Sequence, residues 1–206
     1  MGKCALIVID FINEMVHPDG KLAAKGTTST ISASGFWGQS STPGYAAFIQ
    51  EKGTFARLNE EIAIFANLAF PVIFVGLGFA EDWADQPKSS PVFYNAHQLG
   101  ILQRDTWSTA LHDDVEKPAE SYFLSKQRIS PFYGTFLEGL LRSQGVERVL
   151  LAGVATDFAV EAAARDAHDR DFQVDVVSAA CAAASDEDHT RALLRMSKFA
   201  NIRCMQ

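Results

Sequence analysis

The sequence predicts an α/β fold built on a mostly parallel sheet of about six strands. Short, continuous apolar runs recur along the chain, as is typical of strands that are buried on both faces. Between them lie segments with helical spacing of apolar residues, such as TFARLNEEIAIFANL at 54–68. Regular alternation of strands and helices, with short links, predicts parallel strands covered by helices on both sides.

Each predicted strand is a run of mainly apolar residues. The runs are CALIVID at 4–10, PVIFVGLG at 71–78, SYFLSK at 121–126, VERVLLAG at 146–153, FQVDVVSA at 172–179 and NIRC at 201–204. Ligands of such sheets bind beyond the carboxyl ends of the strands. The residues that follow these runs are therefore the first candidates for a functional site.

Helices are predicted from the spacing of apolar residues and from residues that favour helix ends. They cover 54–68, 135–145, the segment from the end of the fourth strand to about Arg170, and 186–199. Thr135 and Glu138 have the spacing of a capping box, and Gly145 is suited to ending that helix.

Length and composition limit the classes of protein. The 206 residues are 48% hydrophobic, which suits a single domain over 1–206. A net charge of −7, with scattered acids, argues against nucleic-acid binding, since that needs clustered Lys and Arg. The sequence has no apolar stretch of the roughly 18 residues that a membrane span needs, and the opening segment does not resemble a signal peptide.

The three cysteines, Cys4, Cys181 and Cys204, lack the spacing of a metal site or a disulfide framework. This usage predicts a reducing environment and a cytoplasmic protein. Cys181 lies among small alanines, which favours a buried structural thiol.

Three groups of polar or reactive positions fall at the predicted strand ends. Asp10 ends the first strand, Lys126 ends the third, and 154–159 follow the fourth. An aspartate at the end of an apolar strand is costly to bury without a partner. Because the carboxyl ends of parallel strands share one edge, Lys126 is the expected partner of Asp10.

The chain resembles the isochorismatase-like hydrolases, also called the cysteine hydrolase family, over nearly its whole length. Four segments carry the resemblance: ALIVIDFINEMVHPDGKLAAKG, LSKQRISPFYGTFLEGLLRSQG, GVATDFAVEAAARDAHDRDF and CAAASDEDH. The resemblance implies a Rossmann-like three-layer α/β sandwich and a small-molecule substrate. It also implies a homo-oligomer, a dimer or larger.

The resemblance also implies site residues. The catalytic Asp of the family corresponds to Asp10, its catalytic Lys to Lys126, and its nucleophilic Cys to Ala159. The family has a cis peptide that corresponds to Val154–Ala155. It directs the N–H groups of Ala155 and Ala159 to one point, which suits an oxyanion or a carboxylate.

An alanine at the nucleophile position leaves three accounts open. In the first, which we favour, the enzyme acts on a small planar acid or enol ether, with Asp10 as general acid and no Cys nucleophile. In the second, the chain is an amidase of the nicotinamidase or N-carbamoyl type in which Ala159 replaces the Cys, as in an engineered trap for substrate. In the third, it is a catalytically silent binding protein of the same fold.

No cofactor or metal is expected. The nicotinamidase branch of the family has an Asp-x-His metal motif after the second strand, and GLGFAEDWADQP at 76–87 contains no histidine. GLGFAE lacks the third glycine of a dinucleotide-binding motif, and the residues after it do not favour a helix.

Aromatic residues are expected to form the pocket. They are Phe11, Trp83, Phe132 and Phe158, all in or near the segments named above. The loop at 26–44 is rich in Ser, Thr and Gly and holds the pair Phe36–Trp37. That composition is typical of a flexible surface loop or an inserted segment, whereas the aromatic pair favours a lid or a subunit contact.

Overall fold

The computed structural model of the chain describes residues 2–24 and 44–203. Within these ranges six strands form one sheet: β1 (Lys3–Ile9), β2 (Val72–Leu77), β3 (Ser121–Lys126), β4 (Val146–Val154), β5 (Gln173–Ala182) and β6 (Asn201–Arg203). Every neighbouring pair is parallel, in the order β3-β2-β1-β4-β5-β6. The predicted fold class is confirmed.

Seven α-helices connect or flank these strands in the described ranges. They are α1 (Asn13–Val16), α2 (Tyr45–Lys52), α3 (Thr54–Asn67), α4 (Ala96–Leu99), α5 (Leu137–Ser143), α6 (Glu161–His168) and α7 (Asp186–Met196). A short 3₁₀ turn spans Trp107–Thr109, and a π-helical turn at Thr156–Val160 leads into α6.

Two hydrophobic cores lie on opposite faces of the sheet. Along β1, Leu6 and Val8 belong to one core, with α2 and α3, whereas Ile7 and Ile9 belong to the other, with α5, α6 and α7. Successive side chains of a strand point to opposite faces, so a strand that is apolar at every position is buried on both. Full burial of such a side chain contributes about 1.5–3 kcal/mol.

The strand order reverses between β1 and β4. The chain adds β2 and β3 on one side of β1, then crosses over and adds β4, β5 and β6 on the other. Gly153 brings the ends of β1 and β4 close together, since a Cβ there would lie 2.8 Å from the carbonyl oxygen of Ile9. The crevice at such a reversal is where ligands of open α/β sheets bind.

Two local predictions are wrong. The Thr135–Glu138 capping box is absent: α5 begins at Leu137, and the Thr135 hydroxyl donates to the carbonyl of Pro131 and accepts the N–H of Leu137. Also, β5 runs three residues further than predicted, so Cys181 lies within the strand rather than after it.

The predicted loop at 26–44 lies outside the described residues except for Gly44, and Cys204 lies outside them as well. In residues 2–24 and 44–203, no helix has both the length and the apolar composition to cross a membrane.

Candidate active site

A buried ion pair joins the ends of β1 and β3. Asp10 follows β1, and its carboxylate Oδ2 lies 2.7 Å from Nζ of Lys126, the last residue of β3. The other carboxylate oxygen of Asp10 accepts the N–H of Leu77, at the end of β2, at 2.7 Å. The contact between Asp10 and Lys126 that the strand ends predicted is therefore present.

The ammonium group of Lys126 is fully hydrogen-bonded. Besides Asp10, it donates to the carbonyl oxygens of Arg128 at 3.2 Å and Ile129 at 3.1 Å. An ammonium group has three N–H donors. A ligand therefore reaches the ammonium of Lys126 only by displacing one of these partners.

Burial changes the acidity of the Asp10 carboxyl. Loss of contact with water raises the pKa of Asp10 above its usual range, although Lys126 and the N–H of Leu77 oppose the shift by favouring the carboxylate. A raised pKa keeps more of the carboxyl protonated near neutral pH, which suits a proton donor.

The turn after β4 presents small side chains and backbone groups to the same edge of the sheet. The peptide bond between Val154 and Ala155 is cis, the geometry that the family resemblance implies. The carbonyl of Ala155 accepts the N–H groups of Phe158 and Val160, both at 3.1 Å, and the N–H of Ala159 is not among its donors. Ala155 and Ala159 are both buried.

A histidine from α7 holds the start of this turn. Nδ1 of His189 lies 2.8 Å from the hydroxyl of Thr156, a fully buried residue, and its Nε2 lies 3.4 Å from the hydroxyl of Ser178. Burial lowers the pKa of His189, so the neutral imidazole is favoured. The sequence analysis did not single out His189, although it lies in the CAAASDEDH segment.

These elements enclose a narrow cavity of about 50 Å³. Its lining is largely apolar: Asp10, Met15, Leu22, Tyr45, Leu77, Val92, Phe93, Leu102, Lys126, Ile129, Val154, Ala155, Phe158 and Ala159. Since one water needs roughly 10–15 Å³ of such space, the cavity has room for a group about the size of an amide.

Of the predicted site residues, five line the cavity: Asp10, Lys126, Ala155, Phe158 and Ala159. Three predicted aromatic residues do not. Phe11 is buried against Phe55 in one core, and Phe132 packs against Phe172 in the other. Trp83 donates its indole N–H to the carbonyl of Ile101 and packs at a tilt against the ring of His97.

The structure adds lining residues that the sequence analysis missed. Tyr45 opens α2, and its burial, together with the charges of Asp157, Asp188 and Asp10, raises the pKa of its hydroxyl, which stays protonated. Val92, Phe93 and Leu102 come from the irregular segment after β2, which has no periodic pattern to reveal its direction.

Cys181 does not replace the missing thiol. It lies in β5, buried in the core that also contains α5, α6 and α7, and burial raises its pKa to about 12. Within residues 2–24 and 44–203, no group of three or more His, Cys, Asp or Glu side chains is arranged to hold a metal ion.

Sequence comparison identifies the family. Residues 4–206 match the Isochorismatase domain. The chain is 31% identical, over 97% of its length, to the isochorismatase family protein PncA of Bacillus subtilis (strain 168), 95% of which is covered. It is 30% identical over 131 residues to the isochorismatase family protein YecD of Escherichia coli O157:H7, but that match spans 60% of this chain and only 63% of the relative. A match of 25% identity to the ureidoacrylate amidohydrolase RutB of Rhizobium rhizogenes spans 56% of this chain and 52% of the relative.

Solved structures agree with this assignment. N-carbamoylsarcosine amidase of Thermoplasma acidophilum superposes with a TM-score of 0.70 at 25% identity, over 98% of this chain and 95% of the other. The nicotinamidase PncA of Bacillus subtilis shares the fold, with a TM-score of 0.72 at 23% identity, over 98% of this chain and all of the other. The chain therefore belongs to the isochorismatase family and is an isochorismatase-like hydrolase.

Proposed function

We propose that this hydrolase cleaves a small planar substrate of the enol-ether type by general acid catalysis from Asp10, without a cysteine nucleophile. One observation carries the proposal: the cavity lining contains a buried aspartate with a raised pKa but, among the described residues, no Ser, Thr or Cys. An acid is present in the cavity, whereas the side chains that usually form covalent acyl intermediates are not.

In this mechanism the proton of the Asp10 carboxyl adds to the terminal carbon of the C=C bond, whose π electrons form the new C–H bond. The resulting oxocarbenium ion accepts the oxygen of a water molecule, and a proton of that water returns to the Asp10 carboxylate. The hemiketal then breaks its C–O bond to the leaving group, and its hydroxyl proton passes to the departing oxygen, which gives a carbonyl compound and an alcohol.

The neighbours of Asp10 have positioning roles. Lys126 and the N–H of Leu77 each hold one carboxylate oxygen, so the carboxyl presents its remaining lone pairs to the cavity in a fixed orientation. The N–H groups of Ala155 and Ala159 are proposed to hold an oxygen of the substrate, because both residues line the cavity at the start of a helix.

A second function is favoured by the place of Ala159. Its side chain lines the same cavity as Asp10 and Lys126, so a thiol there would stand beside an acid/base and a cation. Together with the likeness to N-carbamoylsarcosine amidase, this supports a Cys-dependent amidase in which residue 159 has changed.

Turnover of the wild type, Asp10→Asn and Ala159→Cys on isochorismate, nicotinamide and N-carbamoyl compounds separates these functions. General acid catalysis predicts enol-ether hydrolysis that falls with rising pH, is abolished by Asp10→Asn and is unchanged by Ala159→Cys. Amide or ureide hydrolysis that appears only with Ala159→Cys would establish the second function instead. If none of the three proteins turned over any of these compounds, the result would favour the third account, a catalytically silent binding protein.

We also propose that the chain is a cytoplasmic homo-oligomer. Cys4 and Cys181 are free thiols, which suits a reducing compartment. Large exposed rings lie on the edge strand β3, at Tyr122 and Phe123, and in the segment between β3 and α5, at Tyr133 and Phe136. Light scattering is expected to give a mass of at least twice 22.5 kDa, and a monomer at micromolar concentration would contradict assembly.

A further inference from the structure

We propose that Arg128 binds a carboxylate of the substrate through the Nε and Nη2 groups of its guanidinium, beside the cavity that contains Asp10. The substrate class is then a small organic acid whose reacting group enters the cavity while its carboxylate stays outside. The proposal deepens the proposed function and rests on it for the identity of the site. Binding of a carboxylate can nevertheless be measured without turnover.

Arg128 differs from every other arginine of the chain. Each of the other nine forms an ion pair with an Asp or Glu side chain. Arg128 has no carboxylate partner among the described residues, and the parts of the sequence outside them contain no Asp or Glu. Its side chain is half-buried, so the guanidinium has lost part of its water without gaining a counter-ion. A carboxylate from outside the chain would supply one.

One edge of the Arg128 guanidinium is unoccupied. Its Nη1 group donates to the carbonyl oxygens of Gln127 at 2.8 Å and Asp85 at 3.4 Å. The guanidinium carbon lies 5.9 Å from the centre of the Tyr133 ring, a contact that uses the face of the group rather than its edge. In residues 2–24 and 44–203, no acceptor is bound to Nε or Nη2 of Arg128.

Arg195 shows what such an edge can hold. Its Nη2 donates to Oε2 of Glu161 at 2.7 Å, and its Nε lies 3.2 Å from Oε1 of the same carboxylate. The two parallel N–H groups of a guanidinium match the two oxygens of a carboxylate, which makes this arrangement strong and directional. Arg128 offers the same pair of donors to a ligand.

Contacts of Arg128 place it beside the cavity. Its carbonyl oxygen accepts the ammonium of Lys126 at 3.2 Å, and the next residue, Ile129, lines the cavity. Its side chain reaches Asp85, in the segment after β2 that also contributes Phe93 to the lining. The guanidinium therefore spans two segments that form walls of the cavity, at the carboxyl edge of the sheet.

Two other cations at this edge of the sheet already have carboxylate partners. Lys126 is bound to Asp10 and to two backbone carbonyls, and Arg104 lies 2.8 Å from the carboxylate of Asp85. The largely apolar lining would also take a carboxylate out of water without a free cation to receive it. An acid therefore binds best with its charge on Arg128 and its uncharged part in the cavity.

The test compares the binding of benzoate and benzamide, two planar compounds of nearly equal shape, to the full 206-residue chain. Dissociation constants are measured by NMR titration, with the amide resonance of Ile129 as reporter. We expect benzoate to bind at least about tenfold more tightly, because it gains a charge-assisted bidentate pair. The Nε–H resonance of Arg128 should shift with benzoate and not with benzamide. Equal affinities, tighter binding of benzamide or no binding of benzoate would overturn the proposal.

Variants of two arginines locate the effect. Arg128→Gln should abolish the preference for benzoate, and Arg128→Lys, which keeps the charge, should lose part of it because an ammonium has no bidentate edge. Arg142→Gln removes an equal charge near the end of α5, close to the start of β4, and should leave the preference unchanged. Unchanged affinity for benzoate in both Arg128 variants would overturn the proposal, as would equal losses in Arg128→Gln and Arg142→Gln.

These measurements are independent of the reaction. Binding of benzoate needs no turnover, so a result against Arg128 would leave the Asp10→Asn activity test of general acid catalysis intact. Failure of that activity test, in turn, would not change the expected dependence of benzoate binding on Arg128.

Discussion

Two ion pairs in this chain have the same length and different surroundings. Lys126 and Asp10 approach to 2.7 Å at the carboxyl edge of the sheet, with side chains 1% and 4% exposed. Arg195 and Glu161 also approach to 2.7 Å, between α7 and α6, but the arginine side chain is 47% exposed. The comparison teaches that separation alone does not set the energetic role of a pair.

Solvent accounts for the difference. Water stabilises Arg195 when its partner is lost, so breaking an exposed pair costs little. Lys126 and Asp10 are both buried, so breaking that pair leaves an uncompensated charge in the interior. The buried pair is thus a poor source of net stability and a strong constraint on which side chains the site accepts.

The largest expected effect comes from breaking the buried pair at one end. Lys126→Met should lower the free energy of unfolding by about 3–5 kcal/mol, because Asp10 is left buried and unpaired. Urea denaturation measures it.

The double variant Asp10→Asn, Lys126→Met is the control for this change. It should recover much of the loss, since the uncompensated charge is gone and Asn can still accept the N–H of Leu77. A double variant as unstable as Lys126→Met alone would show that packing of the lysine stem, and not charge, explains the loss.

The next largest effect is on the pH dependence of stability, which should have opposite signs for Asp10 and Glu161. The pKa of Asp10 is raised, so its contribution to stability is complete below the usual carboxyl range and declines as the pH rises through the raised value. For Glu161, burial raises the pKa but hydrogen bonds from Arg195 and Arg165 outweigh it, and the pKa is lowered. Its contribution is complete above the usual range and is lost as the pH falls through the lowered value.

Unfolding free energies of the wild type, Asp10→Asn and Glu161→Gln between pH 3 and pH 8 measure these signs. Relative to Asp10→Asn, the wild type should lose stability as the pH rises. Relative to Glu161→Gln, it should lose stability as the pH falls. If the two stability differences changed with pH in the same direction, the pKa values of Asp10 and Glu161 would not be shifted in opposite directions.

The smallest expected effect comes from the exposed pair. Arg195→Gln should lower the free energy of unfolding by no more than about 1 kcal/mol, because solvent screens the arginine and Arg165 still binds Glu161. Thermal unfolding of the wild type and Arg195→Gln at low and high salt measures this loss. The difference in stability between the two proteins should be smaller at high salt. A loss as large as that of Lys126→Met would remove the contrast between the two pairs.

The sequence predicted the sheet well because strands that are buried on both faces must be apolar at every position. The runs at 71–78 and 121–126 match β2 and β3 to within a residue or two, and the pairing of Asp10 with Lys126 follows from parallel strand ends. These inferences depend only on the direction of the chain and on the cost of burying a charge.

The rest depends on tertiary packing that no local pattern specifies. Beyond a strand end the alternation of faces stops, so Phe11 and Phe132 were assigned to the pocket when each packs into a core. The Thr135 hydroxyl accepts the N–H of Leu137, two residues on, instead of the N–H three residues on that a capping box requires. Tyr45 reaches the cavity because α2 packs on the sheet, which its sequence does not show.

The backbone at Asp10 has a consequence for redesign of this pocket. Its φ is +56°, in the left-handed region that Asp and Asn adopt more readily than other side chains. A longer acid such as Glu would meet that backbone strain and also carry its carboxyl past the N–H of Leu77. The reach of the acid therefore cannot be tuned by lengthening its side chain, and an engineer must instead move the substrate, by reshaping the opposite wall of the cavity.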